Sequence, residues 1–325
     1  MIFKLADFSH KTELINLWRE SFSDGEEFIS SFINAYMIPE YNVPVIVEDQ
    51  KIVSALYLVD FDLYSNGKNL GPSAYLFAAA TKKEYRNRGY MAELILYAAD
   101  LCGNRGLTAV FLFPQGQDKK LFDYYSKAGF ETVFAARRLK KSTSKIKTDI
   151  NAGDYSGFSL EHKNIDDADI FDKLYESYIG FTSYQEIIPV KDRLFYFKCA
   201  SSYLDFSENS EIKTYFGVFE IKKEKICYVF YKKYKKNYYI DDIILSQENN
   251  YKDKFNETAE ILADFIVNSG NFGENINLGL NIPPGVSDSE NSRVPLAMLL
   301  PLRENIRDLA NNLKSPVYIN MFMNI

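Results

Sequence analysis

The chain has 325 residues, 46% hydrophobic and 25% charged, an ordinary globular balance on a length beyond the usual single domain of about 100–200 residues, so two packed domains are expected. No stretch approaches the ~18 consecutive apolar residues of a membrane span, and the opening MIFKLADFSHK lacks the build of a cleaved leader, so a soluble, cytoplasmic protein without a membrane partner is expected. The formal net charge of −6 argues against nucleic acid as a partner, while three scattered cysteines (Cys102, Cys199, Cys227) and only two histidines (His10, His162) argue against a disulfide frame, a metal site and His-centred acid–base chemistry.

In chain order, Ile2 to Ala6 reads as a short strand. Leu14, Leu17, Trp18 and Phe22, then Phe28, Phe32, Ile33 and Tyr36, recur at helical spacing on either side of a break at Asp24-Gly25. Val43 to Glu48 and Ile52 to Phe61 are β-rich runs, and a third, Tyr75 to Ala80, follows the Asn66-Gly67 turn and Gly71-Pro72. A helix over Met91 to Asn104, a strand over Thr108 to Phe113, a short helix from Leu121 to Ala128 stopped at Gly129, and a strand from Phe130 to Ala136 complete the first half. This order predicts a mixed α/β sheet with helices on both faces, forming a domain over residues 1–139.

Lys140 to Asp154, KKSTSKIKTDINAGD, is polar and basic without an apolar face, so it is expected to be a linker over 140–154. The second domain, 155–325, restates the order: helices around Ile165–Tyr178 and Lys191–Ala200, strands at Thr214–Ile221, Ile226–Tyr231 and Tyr238–Leu245, a helix ending at Asn268, and a strand at Ile276–Leu280. Strand-like runs at Leu296–Leu300 and Val317–Met321 flank Arg303–Ser315, expected to be exposed. The run Lys232, Lys233, Lys235 and Lys236 reads as a solvated hairpin tip, and the histidines as surface or capping residues.

The informative stretch is YLFAAATKKEYRNRGYM, Tyr75 to Met91, a strand that passes through a tight basic turn straight into a helix. Such a turn is an anion cradle: backbone N–H groups at the helix start point outward, the helix dipole adds roughly half a positive charge, and Arg86 and Arg88 supplement it. A pyrophosphate suits it, with Gly89 where a side chain would most obstruct approach. Arg86, Asn87, Arg88, Gly89, Tyr90 and Met91 resemble motif A of the GCN5-related N-acetyltransferases (GNAT), Arg or Gln, two residues, Gly, one residue, then Gly or Ala, with Met91 departing at the last position. Leu121-Phe-Asp-Tyr-Tyr-Ser-Lys-Ala-Gly-Phe130 is similar to the family's second signature.

The resemblance implies acetyl-CoA as co-substrate, its pantetheine arm against Ala79, Ala80 and Thr81 and its pyrophosphate on the N–H groups from Asn87 to Ala92. It also implies an acetyl group passed to a primary amine, by direct attack, on a small-molecule or peptide acceptor, with Tyr125 as general acid to the departing CoA thiolate. A tyrosine, with a pKa of about 10, is a donor at neutral pH. For the base, Glu26, Glu27, Glu48, the C-terminal carboxylate of Ile325 and water stay open. The acidic balance mildly favours a cationic amine.

In the second half, the segment after Leu245, Ser246-Gln-Glu-Asn-Asn-Tyr-Lys252, has no glycine and carries a glutamate, so that domain is expected to be a degenerate GNAT-like copy that no longer binds the coenzyme. Its tyrosines (Tyr228, Tyr231, Tyr234, Tyr238, Tyr239) fit either a homo-oligomer interface or a sheet packed under helices. The alternatives are a non-catalytic acyl-CoA-binding interaction module and a tandem aminoacyltransferase.

Overall fold

The computed structural model describes residues 1–114, 118–142, 155–182, 188–205, 211–246, 251–268, 277–282 and 293–313. The chain forms two compact units, one of Met1–Leu63, Leu70–Val133 and Ala297–Asn312, the other of Tyr64–Asn69, Phe134–Leu296 and Leu313–Ile325.

In the first unit, strand β1 (Ile2–Leu5) and a 3-10 turn at Phe8–His10 lead into helices α1 (Lys11–Ser21) and α2 (Glu26–Tyr36). His10 closes a reciprocal capping box with Asp7 at that turn. Strands β2 (Pro44–Glu48), β3 (Lys51–Ser65) and β4 (Lys68–Thr81) follow, with Asn66 and Gly67 at positive φ (45° and 76°) forming the two-residue turn between β3 and β4. Then come α3 (Tyr90–Asn104), β5 (Ala109–Leu112), α4 (Lys119–Lys127) and β6 (Glu131–Ser142).

The strands lie in the order β1-β2-β3-β4-β5, with β1–β2 and β2–β3 antiparallel and β4–β5 parallel. Side chains alternate between faces along each strand. Leu56, Leu58, Leu76, Val110 and Leu112 join Leu94, Ile95 and Ala98 of α3 in an aliphatic core. Between them in sequence, Tyr57, Tyr75 and Phe111 are equally buried but belong to an aromatic set with Trp18 and Phe32 from α1 and α2. Burial on both faces is why β3 reads as an almost unbroken apolar run.

The second unit repeats this order: β7 (Phe158–His162), α5 (Ala168–Thr182), a short strand β8 (Ile188–Val190), α6 (Arg193–Asp205), β9 (Ile212–Ile221), β10 (Glu224–Tyr234), β11 (Asn237–Leu245), α7 (Tyr251–Asn268) and β12 (Asn277–Ile282). Its path β7-β9-β10-β11-β12 is antiparallel until the last pair, which is parallel, as in the first unit. Tyr228, Tyr231 and Tyr238 are buried within this chain, whereas Tyr239 is 40% exposed. Lys235, at φ 54°, turns the β10–β11 hairpin at the basic run.

The outermost strands depart from a contiguous division. Strand β13 (Arg293–Pro301) pairs antiparallel with β5, Met298 opposite Leu112, and from Ala297 on it belongs, with helix α8 (Glu304–Asn311), to the first unit. Strand β6, sequential to the first unit, pairs antiparallel with β12, Arg137 opposite Ile282 and Ser142 opposite Asn277. Each unit therefore fills the position beyond its parallel pair with the strand that follows the other in sequence.

Lys140 to Ser142, expected as linker, are the end of β6, since ladder hydrogen bonds hold a polar strand that has no apolar face of its own. Residues 143–154 and the run Val317–Met321 lie outside the described residues. Most of Arg303–Ser315, expected as exposed, is α8, whose Ile306 and Ala310 are buried. Strand β4 begins seven residues before the expected Tyr75 because Gly71 and Pro72 continue it: the Pro72 carbonyl accepts the Thr108 N–H at 2.7 Å and hydroxyl at 2.9 Å. Among the described residues, no helix is long and apolar enough to cross a membrane.

Candidate functional site

The basic turn is built as an open cradle. After β4, a 3-10 turn (Lys83–Tyr85) leads to Arg86 in extended backbone, Asn87 at φ 62° and Gly89 at φ 84°, and α3 starts at Tyr90. Two left-handed residues within three positions bring the chain sharply from strand to helix, and a residue with a Cβ is strained at the second. A Cβ built on Gly89 would meet no protein atom within 4 Å, so the space over the turn is clear.

No side chain caps α3 at Gly89, and the first N–H to bond back is that of Glu93, to the Gly89 carbonyl at 3.1 Å. The N–H groups of Tyr90, Met91 and Ala92 thus start a helix without an intrahelical partner, the arrangement that binds anions. Met91, the departure from the motif, packs its side chain on the aliphatic core, as does Tyr90.

Neighbouring side chains hold this turn. Arg86 donates from Nε to the Thr81 carbonyl at 2.9 Å and reaches Ser21 Oγ at 3.5 Å, tying the turn to the end of β4. The Arg88 guanidinium lies 5.2 Å from the centroid of the Tyr85 ring, which meets Tyr90 edge-on at 5.9 Å. The Tyr90 hydroxyl donates to Glu48, and that bond holds the phenol above its ordinary pKa.

The strand leading into the cradle is held along one edge. Ser54 of β3 donates to the Ala80 carbonyl at 3.1 Å and pairs with the Thr81 hydroxyl at 2.9 Å. On the other edge, β4 is in register with β5 over Ser73–Tyr75, β5 ends one residue later at Leu112, and β4 runs on to Thr81. Ala78, at φ 47°, bends the strand just past that parting. The sequence pointed to Ala79, Ala80 and Thr81; Ala80 is 5% exposed, Ala79 and Thr81 more open, and Ala78 is the missed residue. Only its place in a run of three alanines marked it.

Tyr125 owes its position to a helix ending. Gly129, at φ 90°, closes α4 with its N–H on the Ser126 carbonyl (3.0 Å) and the Phe130 N–H on the Tyr125 carbonyl (3.1 Å), the double bond of a Schellman motif. The accompanying apolar contact is Tyr125 against Phe130, 5.8 Å between rings. The spacing of tyrosine, glycine and phenylalanine in the sequence is thus that of a capped helix end. Tyr125 packs on the same aliphatic core as Ala79, Tyr85, Tyr90 and Met91. Its hydroxyl bonds to no described residue, and burial, with a smaller contribution from Tyr124, pushes its pKa up to about 12.

The candidate bases are scattered. Glu26 pairs with Arg19 at 2.7 Å on the surface, Glu27 is exposed beside it, and Glu48 is engaged by Tyr90 at the cradle. Ile325, and residues 247–250 of the corresponding turn in the second unit, lie outside the described residues.

Residues 3–133 match the family model for an acetyltransferase (GNAT) domain. No curated protein matches the chain. Among solved structures it is similar to a GCN5-related N-acetyltransferase from Anabaena variabilis (16% identity, TM-score 0.66, covering 93% of this chain and 73% of that one). A probable N-acyltransferase from Enterococcus faecalis gives 12% identity and a TM-score of 0.65, covering 92% and 71%. A tandem GNAT protein from the clavulanic acid biosynthesis pathway gives 11% and 0.50, covering 93% and 98%. At these identities the likeness is one of fold, and its coverage carries that fold beyond residue 133. The segment that this acetyltransferase (GNAT) domain model matches, residues 3–133, is the one that holds both the cradle and Tyr125.

Proposed function

We propose that the first unit is an acetyl-CoA-dependent N-acetyltransferase acting on a primary amine. The observation that carries this is the cradle: an uncapped helix start, a left-handed Gly89 with clear space over it, and, leading into it, a strand parted from its parallel neighbour after Tyr75. These residues fit a coenzyme A pyrophosphate. The N–H groups from Asn87 to Ala92 would hold it, with Arg86 and Arg88 adding charge and Arg86 fixing the turn through Thr81.

The parted edge of β4 at Ala78, Ala79, Ala80 and Thr81 would pair with the pantetheine amides as an added strand does. Acetyl-CoA supplies an acetyl carbon activated as a thioester. As the amine nitrogen bonds to that carbon and the C–S bond breaks, Tyr125 donates its proton to the leaving sulfur. A proton from the amine passes to water or a carboxylate. Of the named carboxylates, Glu48 faces the phosphate end through Tyr90, which leaves Glu26, Glu27, the chain terminus or water for this step. The second unit is read as a second GNAT-like copy on its strand order, and as one that does not bind the coenzyme on the sequence of the segment after Leu245, which has no glycine and carries a glutamate.

Calorimetric titration with acetyl-CoA tests the reading. Micromolar binding to the natural chain, lost in Gly89→Asp, is the expected result; no heat from the natural chain refutes it.

A further inference from the structure

We propose that the acceptor is a primary amine carried on an aromatic body, an arylalkylamine, bound on the face of β4 opposite α3. The inference rests on the acetyl-transfer reading for its chemistry, and on a separate set of residues for its specificity.

Coenzyme bound on the cradle and along the edge of β4 leaves the acceptor to approach from the face under α1 and α2. That face is lined with rings. Phe77, immediately before the bent Ala78, lies 5.6 Å from Trp18 and 5.4 Å from Tyr75, and Phe113 lies 5.8 Å from Tyr75. At the break between α1 and α2, Phe22 and Phe28 meet Trp18 at 6.2 and 6.3 Å.

Trp18 and Tyr75 are buried, but Phe22, Phe28, Phe77 and Phe113 are each only partly covered. Half-covered rings, linked through the buried Tyr75 and Trp18, therefore extend from the parting of β4 and β5 to the α1–α2 break. The opposite face of the same strands is aliphatic and closed by α3, so the aromatic character belongs to one side.

A second observation points to an occupant. The Tyr57 hydroxyl, on a residue 3% exposed, has no hydrogen-bond partner among the described residues and sits in this ring set, 5.1 Å between its ring and Trp18. Buried hydroxyls are ordinarily partnered, and a polar atom on the acceptor would satisfy this one. Charge fits as well: Glu27, exposed and in no ion pair among the described residues, directly precedes Phe28, and Asp24, which accepts the Trp18 indole N–H at 2.8 Å, lies three residues earlier. Rings take an aromatic body edge-on or stacked, and ring faces and carboxylates both attract its ammonium. A polyamine has no body to cover the rings and meets only surface carboxylates.

Trp18 is the chain's single tryptophan, so its emission reports on this face without any turnover. The full chain, saturated with CoA, is titrated with phenethylamine and with cadaverine; CoA release from acetyl-CoA is followed separately with each amine. Phenethylamine should change Trp18 emission saturably, at a half-saturation at least tenfold below that of cadaverine. Phe77→Ala and Phe28→Ala, checked for folding by circular dichroism, should each raise that value five- to tenfold. Equal or better response to cadaverine, or indifference to both substitutions, overturns the proposal. A phenethylamine response without CoA release sinks the transferase reading and keeps the aromatic site; CoA release with cadaverine and none with phenethylamine does the reverse.

Discussion

Tyr125 is the residue on which the proposed chemistry turns, and its surroundings set a measurable limit. Burial raises its pKa from 10 to about 12, because the ionised phenolate is the form that loses solvation. The neutral donor therefore persists well past the pH at which a free tyrosine ionises. The rate at saturating amine should show no descending limb between pH 9 and pH 11, and a limb centred near 10 would remove Tyr125 from the role of acid. Tyr125→Phe should lower kcat by roughly 10²-fold, the lower range for a lost general acid, with acetyl-CoA binding retained by calorimetry. Gly89, Arg86 and Tyr125 were legible in sequence because each sits at a fixed offset within a local turn or cap. Ala78 was not, since its positive φ arises where β4 leaves a partner strand 36 residues away in sequence, as in Tyr75 opposite Phe111.

At the scale of elements, the cap on α4 matters as much as the side chain it positions. Gly129 holds φ 90°, and a Cβ there would come within 3.2 Å of Leu300 Cδ1 on β13. Gly129→Ala should destabilise the chain by about 1–2 kcal/mol, the range for a left-handed residue given a side chain, and lower kcat more than it raises the KM for acetyl-CoA. Urea unfolding and steady-state rates check the two effects separately. If kcat is unaffected while stability falls, the Schellman bond from Phe130 does not position Tyr125.

Helices α1, α2 and α3 were legible because each must bury one stripe at helical period, Leu14, Leu17 and Trp18 in α1 for example. The first half of β4, the length of β6 and the helix α8 were not. Their residues are polar or contain Gly and Pro, and they are fixed by ladder bonds or by a single buried pair, Ile306 and Ala310. Such partners come from distant parts of the chain, which local period does not record.

For the whole molecule, the exchange of β6 and β13 makes the two units mutually dependent. A chain ended at Ser142 keeps the cradle and Tyr125 but lacks the strand that pairs with β5 and contributes Met298 to the aliphatic core. It should fail to unfold cooperatively and should not bind acetyl-CoA, although it contains every residue of the family match, 3–133. A cooperative urea transition in that truncated chain would show that β13 is dispensable. The order of elements along each unit was legible from the sequence; the pairing order of the strands, and which strand completes which unit, was not, because those pairings join residues far apart in the chain.

That exchange also orders events in time. The ribosome releases Val133 well before Ala297, and at 5–20 residues per second the interval is on the order of ten seconds or more. Throughout it, the nascent first unit carries an open edge on β5 with nothing to close it. The first unit is thus completed only once Ala297 and the residues after it have been made, long after the rest of that unit.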